Sequence, residues 1–287
     1  MLIATFFFSL MNVGVKYLSH IPAVEIVFFR SVVSLVLSFS FLKLKQIPIW
    51  GNNKKLLIAR GMAGAISLVL YFTTLQAIPL AGAVTIQFLS PIFTAILGIF
   101  IVNEKVAKRQ WLFFLISFAG VVIIQGVDNR ITSFYFFIGI LAALFSGIAF
   151  NIIRKLNVSE NPVVIVFYFP LVTIPVTGLY ILTNWVNPTG IDLLIIILVG
   201  ITTQIAQVYM TKAFQHEELS KIASLRYIGI IYALIFGHIL FGEYFEYYSY
   251  AGLVLVLLGV MLNIWYKQRH ISGPVEKKNK ITETTIQ

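Results

Sequence analysis

The sequence contains no cysteine and little charge, and both shortages narrow the class of protein. With no cysteine among 287 residues, the chain has no disulfide, no thiolate metal site and no thiol nucleophile. Charged residues make up only 11% of the chain and hydrophobic residues 59%, whereas a soluble globular domain carries about 25% charged residues. This composition excludes an ordinary soluble domain and indicates a membrane protein.

Motifs for catalysis are also missing. The chain has no HExxH, no glycine-rich phosphate loop and no GxSxG, which are the signatures of common metalloproteases, nucleotide enzymes and hydrolases. No two acidic residues lie deep within apolar segments, so an intramembrane aspartyl protease is disfavoured. We therefore predict that the protein is not an enzyme and has no catalytic residue, cofactor or bound metal.

Apolar segments of about 20 residues recur from one end of the chain to the other, and each is long enough to cross a bilayer core of about 30 Å as a helix. The alternating segments of about ten residues that are typical of a membrane barrel do not occur. The sequence therefore predicts an all-α membrane protein with ten transmembrane helices. The predicted spans are 2–18, 23–42, 57–77, 81–102, 111–127, 134–153, 162–183, 191–213, 222–242 and 247–266.

The two halves of the chain resemble each other at a fixed offset of 139 residues. Polar and glycine residues match at this offset, which chance matching of apolar residues does not explain; examples are Asn12 with Asn151, Gln76 with Gln215, Glu104 with Glu243 and Gly120 with Gly259. We predict one five-helix repeat over 1–127 and a second over 134–266. The polar segment 267–287 is predicted to be a disordered basic tail.

The basic residues predict the orientation. The net charge of +10 is spread over short loops, which favours a topology signal over a nucleic-acid surface. If both termini are cytoplasmic, most Lys and Arg residues lie in cytoplasmic segments, so this orientation is predicted. Five spans per repeat then place the second repeat upside down relative to the first. Lys16 is unusual because only fifteen residues precede it. Either its side chain extends out of the membrane, or the true start codon lies upstream.

Arg30 is the clearest candidate functional residue. It lies eight residues from the Pro22 end of its span, about 12 Å deep, and burying a charge at that depth is costly. Glu25 is not its expected partner, since residues i and i+5 do not face one another on a helix. Arg30 is either a structural tether to another helix or a contact to an anionic substrate group.

Arg226 and its repeat counterpart Gln87 are predicted to face a shared central cavity. Asn12, Tyr71, Gln207 and Tyr227 are further candidates for binding polar parts of a substrate. The alternative for each Asn or Gln is a hydrogen bond between helices. Two other residues are assigned to structure instead: Arg60 is predicted to be an anchor at a span end, and Glu243 is predicted to accept backbone N–H groups of the next helix.

Several segments resemble the EamA-type family of the drug/metabolite transporter superfamily. They are LSPIFTAILGIFIVNE, TKAFQHEELSKIASLRYIGIIYALIFGHILFGE, FFRSVVSLVL and IARGMAGAISLVLYF. The resemblance spans about Leu2 to Tyr266 and implies a multi-pass carrier of small metabolites in the bacterial inner (plasma) membrane. It also implies a central cavity between the repeats, to which Arg30, Gln87 and Arg226 carry over.

These observations together predict a secondary transporter, acting as an exporter of small polar metabolites by alternating access. Its predicted partners are a small-molecule substrate, anionic or zwitterionic, and the lipid bilayer, with no nucleic acid. Two alternatives are a non-transporting sensor or interaction protein on the same scaffold, and a lipid-handling membrane protein. The sequence leaves open the substrate, the direction, the coupling ion and the oligomeric state, a homodimer included.

Overall fold

The computed structural model describes residues 1–103, 106–156, 159–216, 228–244 and 247–270, and this part of the chain consists of helices joined by turns and short loops. The all-α prediction is therefore confirmed for the described residues. The helices are α1 (Leu2–Tyr17), α2 (Ala23–Leu44), α3 (Lys54–Ala77), α4 (Leu80–Gln87), α5 (Ser90–Ile101), α6 (Lys108–Val127), α7 (Ser133–Leu156), α8 (Pro162–Ile181), α9 (Gly190–His216), α10 (Ile228–Phe241) and α11 (Tyr247–His270).

Within the described residues, seven segments are long and apolar enough to cross a membrane. They are Ala23–Leu44, Lys54–Ala77, Leu80–Ile101, Ser133–Leu156, Pro162–Ile181, Gly190–Ala213 and Tyr247–Tyr266. Helices α1 and α10 are apolar but shorter, and α6 is not among the seven. The chain is thus a multi-pass helical membrane protein, while the count of ten spans stays a prediction.

The predicted span 81–102 consists of two helices, because α4 ends at Gln87 and α5 begins at Ser90. Pro91 stands in the first turn of α5 and has no N–H to donate to the Gln87 carbonyl four residues earlier. The turn between the two helices is closed instead by hydrogen bonds that span three residues in place of four. The Phe88 N–H donates to the Thr85 carbonyl and the Leu89 N–H to the Ile86 carbonyl, both at 3.0 Å.

Helices from the two halves of the chain pack against each other in a reciprocal pattern. Helix α1 packs on α9 as α7 packs on α3, and α2 packs on α9 as α8 packs on α3. Helices α2 and α8 contact one another directly, as do α6 and α11. The last pair approaches closely, since a Cβ atom at Gly120 would lie 2.6 Å from the Gly252 carbonyl oxygen.

An ion pair ties three helices together at one end of the bundle. Lys16 Nζ, at the end of α1, lies 2.8 Å from Glu243 Oε1 just after α10 and donates to the Ile78 carbonyl at 2.7 Å. Glu243 Oε2 accepts the N–H of Leu80, the first residue of α4, at 2.8 Å. We call this the Lys16 end, and the opposite end of α1 the Met1 end.

The Lys16 end bears on two expectations and corrects the first. The Lys16 side chain is only 13% exposed, so it does not extend out of the bundle; its charge is satisfied by Glu243 instead. Glu243 does accept a backbone N–H, as predicted, but among the described residues the donor is Leu80, at the start of α4. The sequence could not show this because Lys16 and Glu243 are joined only by folding.

Candidate functional site

A cavity of about 170 Å³ lies among the helices, lined by residues from both halves of the chain. Its lining extends along α1 from Met1 to Asn12 and reaches Ile153 on α7 and Met210 on α9. Both polar and apolar side chains line it, and the described lining residues include no aspartate or glutamate. A cavity of this kind suits a small polar molecule. Because its described lining supplies no negative charge, any negative charge in the site would come from that molecule.

Five of the seven predicted site residues line this one cavity. They are Asn12 on α1, Arg30 on α2, Tyr71 on α3, Gln87 on α4 and Gln207 on α9. Arg226 and Tyr227 lie outside the described residues. The structure brings the five together from five different helices, and their contact with a substrate stays a prediction.

Arg30 is fully buried on α2, and its guanidinium carbon lies 5.1 Å from the centroid of the Phe169 ring on α8. None of its three nitrogen atoms has a hydrogen-bond partner among the described residues. Glu25 accepts the Val186 N–H at 3.1 Å instead, in line with the prediction that Glu25 is not the partner of Arg30. Among the described residues, the structural tether predicted as one alternative for Arg30 is therefore the aromatic face of Phe169.

Arg60 also belongs to the cavity, and its prediction as a surface anchor is wrong. The residue is only 3% exposed, and its guanidinium carbon lies 4.6 Å from the same Phe169 centroid. The sequence feature that could have indicated the burial of Arg60 is the pair of glycines, Gly61 and Gly64, that follows it on α3. A Cβ atom at Gly64 would lie 2.8 Å from the Phe169 ring, and one at Gly61 would lie 2.8 Å from Val172, so α8 approaches closely only because both residues are glycine.

Gln87 is held by a chain of hydrogen bonds that ends on the backbone of α7. Ser67 Oγ donates to the Ala142 carbonyl at 2.8 Å, so its single proton is used there. Ser146 Oγ, 2.7 Å away, must then donate to Ser67 and accept from Gln87 Nε2 at 2.7 Å. This chain fixes the orientation of the Gln87 amide and leaves its Oε1 as a buried acceptor without a partner among the described residues.

Gln204 and Gln207 on α9 have different surroundings. Gln204 accepts from Ser34 at 2.9 Å and donates to Ser38 at 2.7 Å, which joins α9 to α2 as the interhelical alternative predicts. Gln207 lies one turn further, lines the cavity and accepts from Arg60 Nη2 at 3.5 Å. Gln207 therefore belongs to the candidate site and Gln204 to the scaffold.

Helices of membrane length around a central cavity that contains polar side chains define a multi-pass membrane protein with an internal site for a small solute. Residues 1–126 and 133–265 each match the EamA-like transporter family, and the chain belongs to that family. The recognition made from the sequence motifs is confirmed, and the protein is a membrane secondary transporter of small metabolites.

Individual relatives cover nearly the full length of the described fold. The pseudopaline exporter of Pseudomonas aeruginosa is 30% identical over 89% of this chain and 91% of its own. The S-adenosylmethionine uptake transporter of Rickettsia prowazekii is 23% identical over 94% of this chain and 92% of its own. One solved crystal structure aligns with a TM-score of 0.68 at 15% identity, over 94% of this chain and 99% of the other, and supports the fold alone.

Proposed function

We propose that this protein exports a small polar metabolite from the cytoplasm by alternating access around the central cavity. In this proposal the chain forms ten spans as two inverted five-helix repeats, 1–127 and 134–266, with both termini in the cytoplasm. Asn12, Arg30, Tyr71, Gln87 and Gln207 would contact the substrate, together with Arg226 and Tyr227 from the segment outside the described residues.

The observation that carries the proposal is that residues related by the 139-residue offset meet in the cavity. Four such pairs have both members in its lining: Met11 with Phe150, Arg30 with Phe169, Leu68 with Gln207, and Tyr71 with Met210. Residues meet their own counterparts only near the axis that relates two repeats. The reciprocal packing of the helices supports the same arrangement, in which the substrate site lies where the inverted repeats meet.

The Lys16 end would be the closed gate in the described conformation. The cavity reaches Met1 along α1, whereas the ion pair between Lys16 and Glu243 joins α1, α4 and α10 at the opposite end. With the Met1 end in the cytoplasm, substrate would enter from the cytoplasmic side while this pair is intact. Release to the outside would then require the pair to separate.

The proposed direction of transport is based on the name of a similar protein. The pseudopaline exporter is named for export, but the Rickettsia relative is named for uptake, so membership of the family does not decide the direction. We base the proposed export on the former, which is the more similar of the two in sequence.

Membrane vesicles of the two orientations test the direction and the activity together. The purified chain in proteoliposomes is screened first for counterflow of labelled amino acids, adenosyl compounds and carboxylates. The metabolite found is then offered to inverted and right-side-out vesicles from cells that produce the protein. Export predicts accumulation in inverted vesicles alone. Accumulation in right-side-out vesicles alone would make the protein an uptake carrier, and well-folded protein without counterflow would favour the sensor alternative.

A further inference from the structure

Two arginine side chains share the central cavity without a carboxylate partner among the described residues. Arg30 is fully buried and Arg60 is 3% exposed. All three nitrogen atoms of Arg30, and Nε and Nη1 of Arg60, have no hydrogen-bond partner in the described part of the chain. The remaining nitrogen, Arg60 Nη2, has only a long contact of 3.5 Å with Gln207 Oε1.

The ring of Phe169 holds both guanidinium groups near one point. Their carbon atoms lie 5.1 and 4.6 Å from its centroid. An aromatic face attracts a cation through its quadrupole, but it does not use up the N–H donors, which lie in the plane of the guanidinium. Among the described lining residues, the cavity therefore contains two positive charges, Arg30 and Arg60, and a set of unused, preoriented donors.

From this arrangement we infer that Arg30 and Arg60 together bind a substrate group with two negative charges, either a pair of carboxylates or one phosphate. The inference rests on the proposed function, because it names the chemical class of the transported metabolite. Two buried cations without counter-charges are costly in a membrane protein. A dianion neutralises both, a monoanion leaves one uncompensated, and a neutral or cationic molecule compensates neither.

The two charges come from different helices that line the same cavity. Arg30 comes from α2 and Arg60 from α3, so their fixed forks approach the cavity from different helices and can each donate in a bidentate manner. The Gln87 amide on α4 and the Tyr71 hydroxyl on α3 line the same cavity. These two groups would hold uncharged polar parts of the substrate.

Binding of simple probe ions tests the inference without knowledge of the natural substrate. The full chain in detergent is titrated by thermal shift with succinate, phosphate, acetate and choline at matched ionic strength, at about pH 8 where phosphate carries two charges. We expect succinate or phosphate to bind at least tenfold more tightly than acetate, with no stabilisation by choline. The better of the two dianions distinguishes a dicarboxylate substrate from a phosphate-bearing one. Equal affinity for acetate and both dianions, or stabilisation by choline, would overturn the inference.

Charge-neutralising variants assign the preference to the two arginines. Arg30→Gln and Arg60→Gln should each remove most of the tenfold preference for the dianion. Lys212→Gln, which removes an exposed positive charge from α9, should keep it. If a Gln variant does not fold, the charge-retaining Arg30→Lys and Arg60→Lys replace it; an ammonium group cannot donate as a fork, so dianion affinity should fall at least threefold. A tenfold preference that survives both Gln substitutions contradicts the inference, as does a Lys replacement that keeps the dianion affinity of the wild type.

Flux measurements separate this inference from the proposed function. Dianion binding that depends on both arginines, in a protein that shows no counterflow of any metabolite, would support the inference and reject the transport proposal. Robust counterflow that is indifferent to Arg30→Gln and Arg60→Gln would leave the transporter standing and reject the dianion site.

Discussion

Neutralising Glu243 should open the Lys16 end of the transporter. Its carboxylate lies 2.8 Å from Lys16 Nζ, and the two side chains are only 9% and 13% exposed. Removing one partner of a buried ion pair costs about 3 kcal/mol, because the other charge is left uncompensated. Glu243→Gln keeps an oxygen that can accept the Leu80 N–H, so the change removes the charge and little else. If only the closed conformation contains the pair, the equilibrium should shift towards opening by about a hundredfold.

The absence of cysteine makes this shift directly measurable, because one introduced thiol is the only thiol in the chain. Val15 is fully buried and lies on the same face of α1 as the cavity residues Met11 and Asn12. A cysteine at Val15 in reconstituted protein therefore reports on the space between the cavity and the Lys16 end. Reaction with a membrane-impermeant maleimide added from that side should become at least tenfold faster in Glu243→Gln.

Two further variants test the reasoning. Lys16→Met should increase the labelling rate to a similar extent, and the double variant should add little to either single change, since both remove one interaction. Glu25→Gln is the control, because it neutralises another buried carboxylate that is bonded to Val186 and not to Lys16. Unchanged labelling in Glu243→Gln and Lys16→Met, or an equal increase in Glu25→Gln, would refute the role of the ion pair as a gate.

Three other changes probe the cavity, the helix packing and a loop. Gln87→Leu removes the buried acceptor and the bond to the α7 serine chain; we expect counterflow to fall at least tenfold while the melting temperature changes little, since one interhelical hydrogen bond is worth about 1 kcal/mol. Gly259→Val places a Cβ atom 2.7 Å from the Phe113 carbonyl oxygen, and such overpacking should lower unfolding stability by about 1–3 kcal/mol in thermal unfolding, with probe-ion affinity unchanged. Asp128 is 4% exposed, and although burial acts to raise its pKa, hydrogen bonds from Arg130 outweigh it and hold the pKa below the ordinary 3.8. The stabilisation of the wild type over Asp128→Asn should therefore be present above pH 3.8 and disappear as the pH falls below it; a pH-independent difference in melting temperature would contradict this assignment.

The membrane class, the helical fold and the family followed from the sequence because they depend on local properties. Apolar length decides whether a segment can span a bilayer, and the motifs that mark the family are continuous stretches of sequence. Arg30 could also be singled out, since its depth within one helix can be counted from Pro22. Even the break in the fourth span has a local signal in Pro91, although the predicted span 81–102 is undivided.

Arg60 shows where this kind of reasoning ends. Counted from the start of α3 it lies near the end of a helix, which is where an anchoring arginine is expected. Its burial depends on α8, which packs closely against Gly61 and Gly64 and covers the side chain with Phe169. Depth along one helix is visible in the sequence, but cover by another helix is a tertiary property. The Lys16–Glu243 pair is a tertiary contact of the same kind, so the sequence indicates each residue separately but not their ion pair.

The pairing of Arg30 with Phe169 also suggests why the two proposed repeats have diverged at the site. At an offset of 139 residues each is the counterpart of the other, and the structure brings the two into direct contact. Near the axis that relates two repeats, a residue faces its own copy, so arginine in both copies would place two like charges side by side. Replacing one of them by an aromatic ring turns that repulsion into an attraction. The second cation of the cavity, Arg60, then comes from elsewhere in the first repeat, where its counterpart is Val199. In the proposed inverted duplication, a charged residue on the axis is therefore expected to differ from its own copy, as Arg30 differs from Phe169.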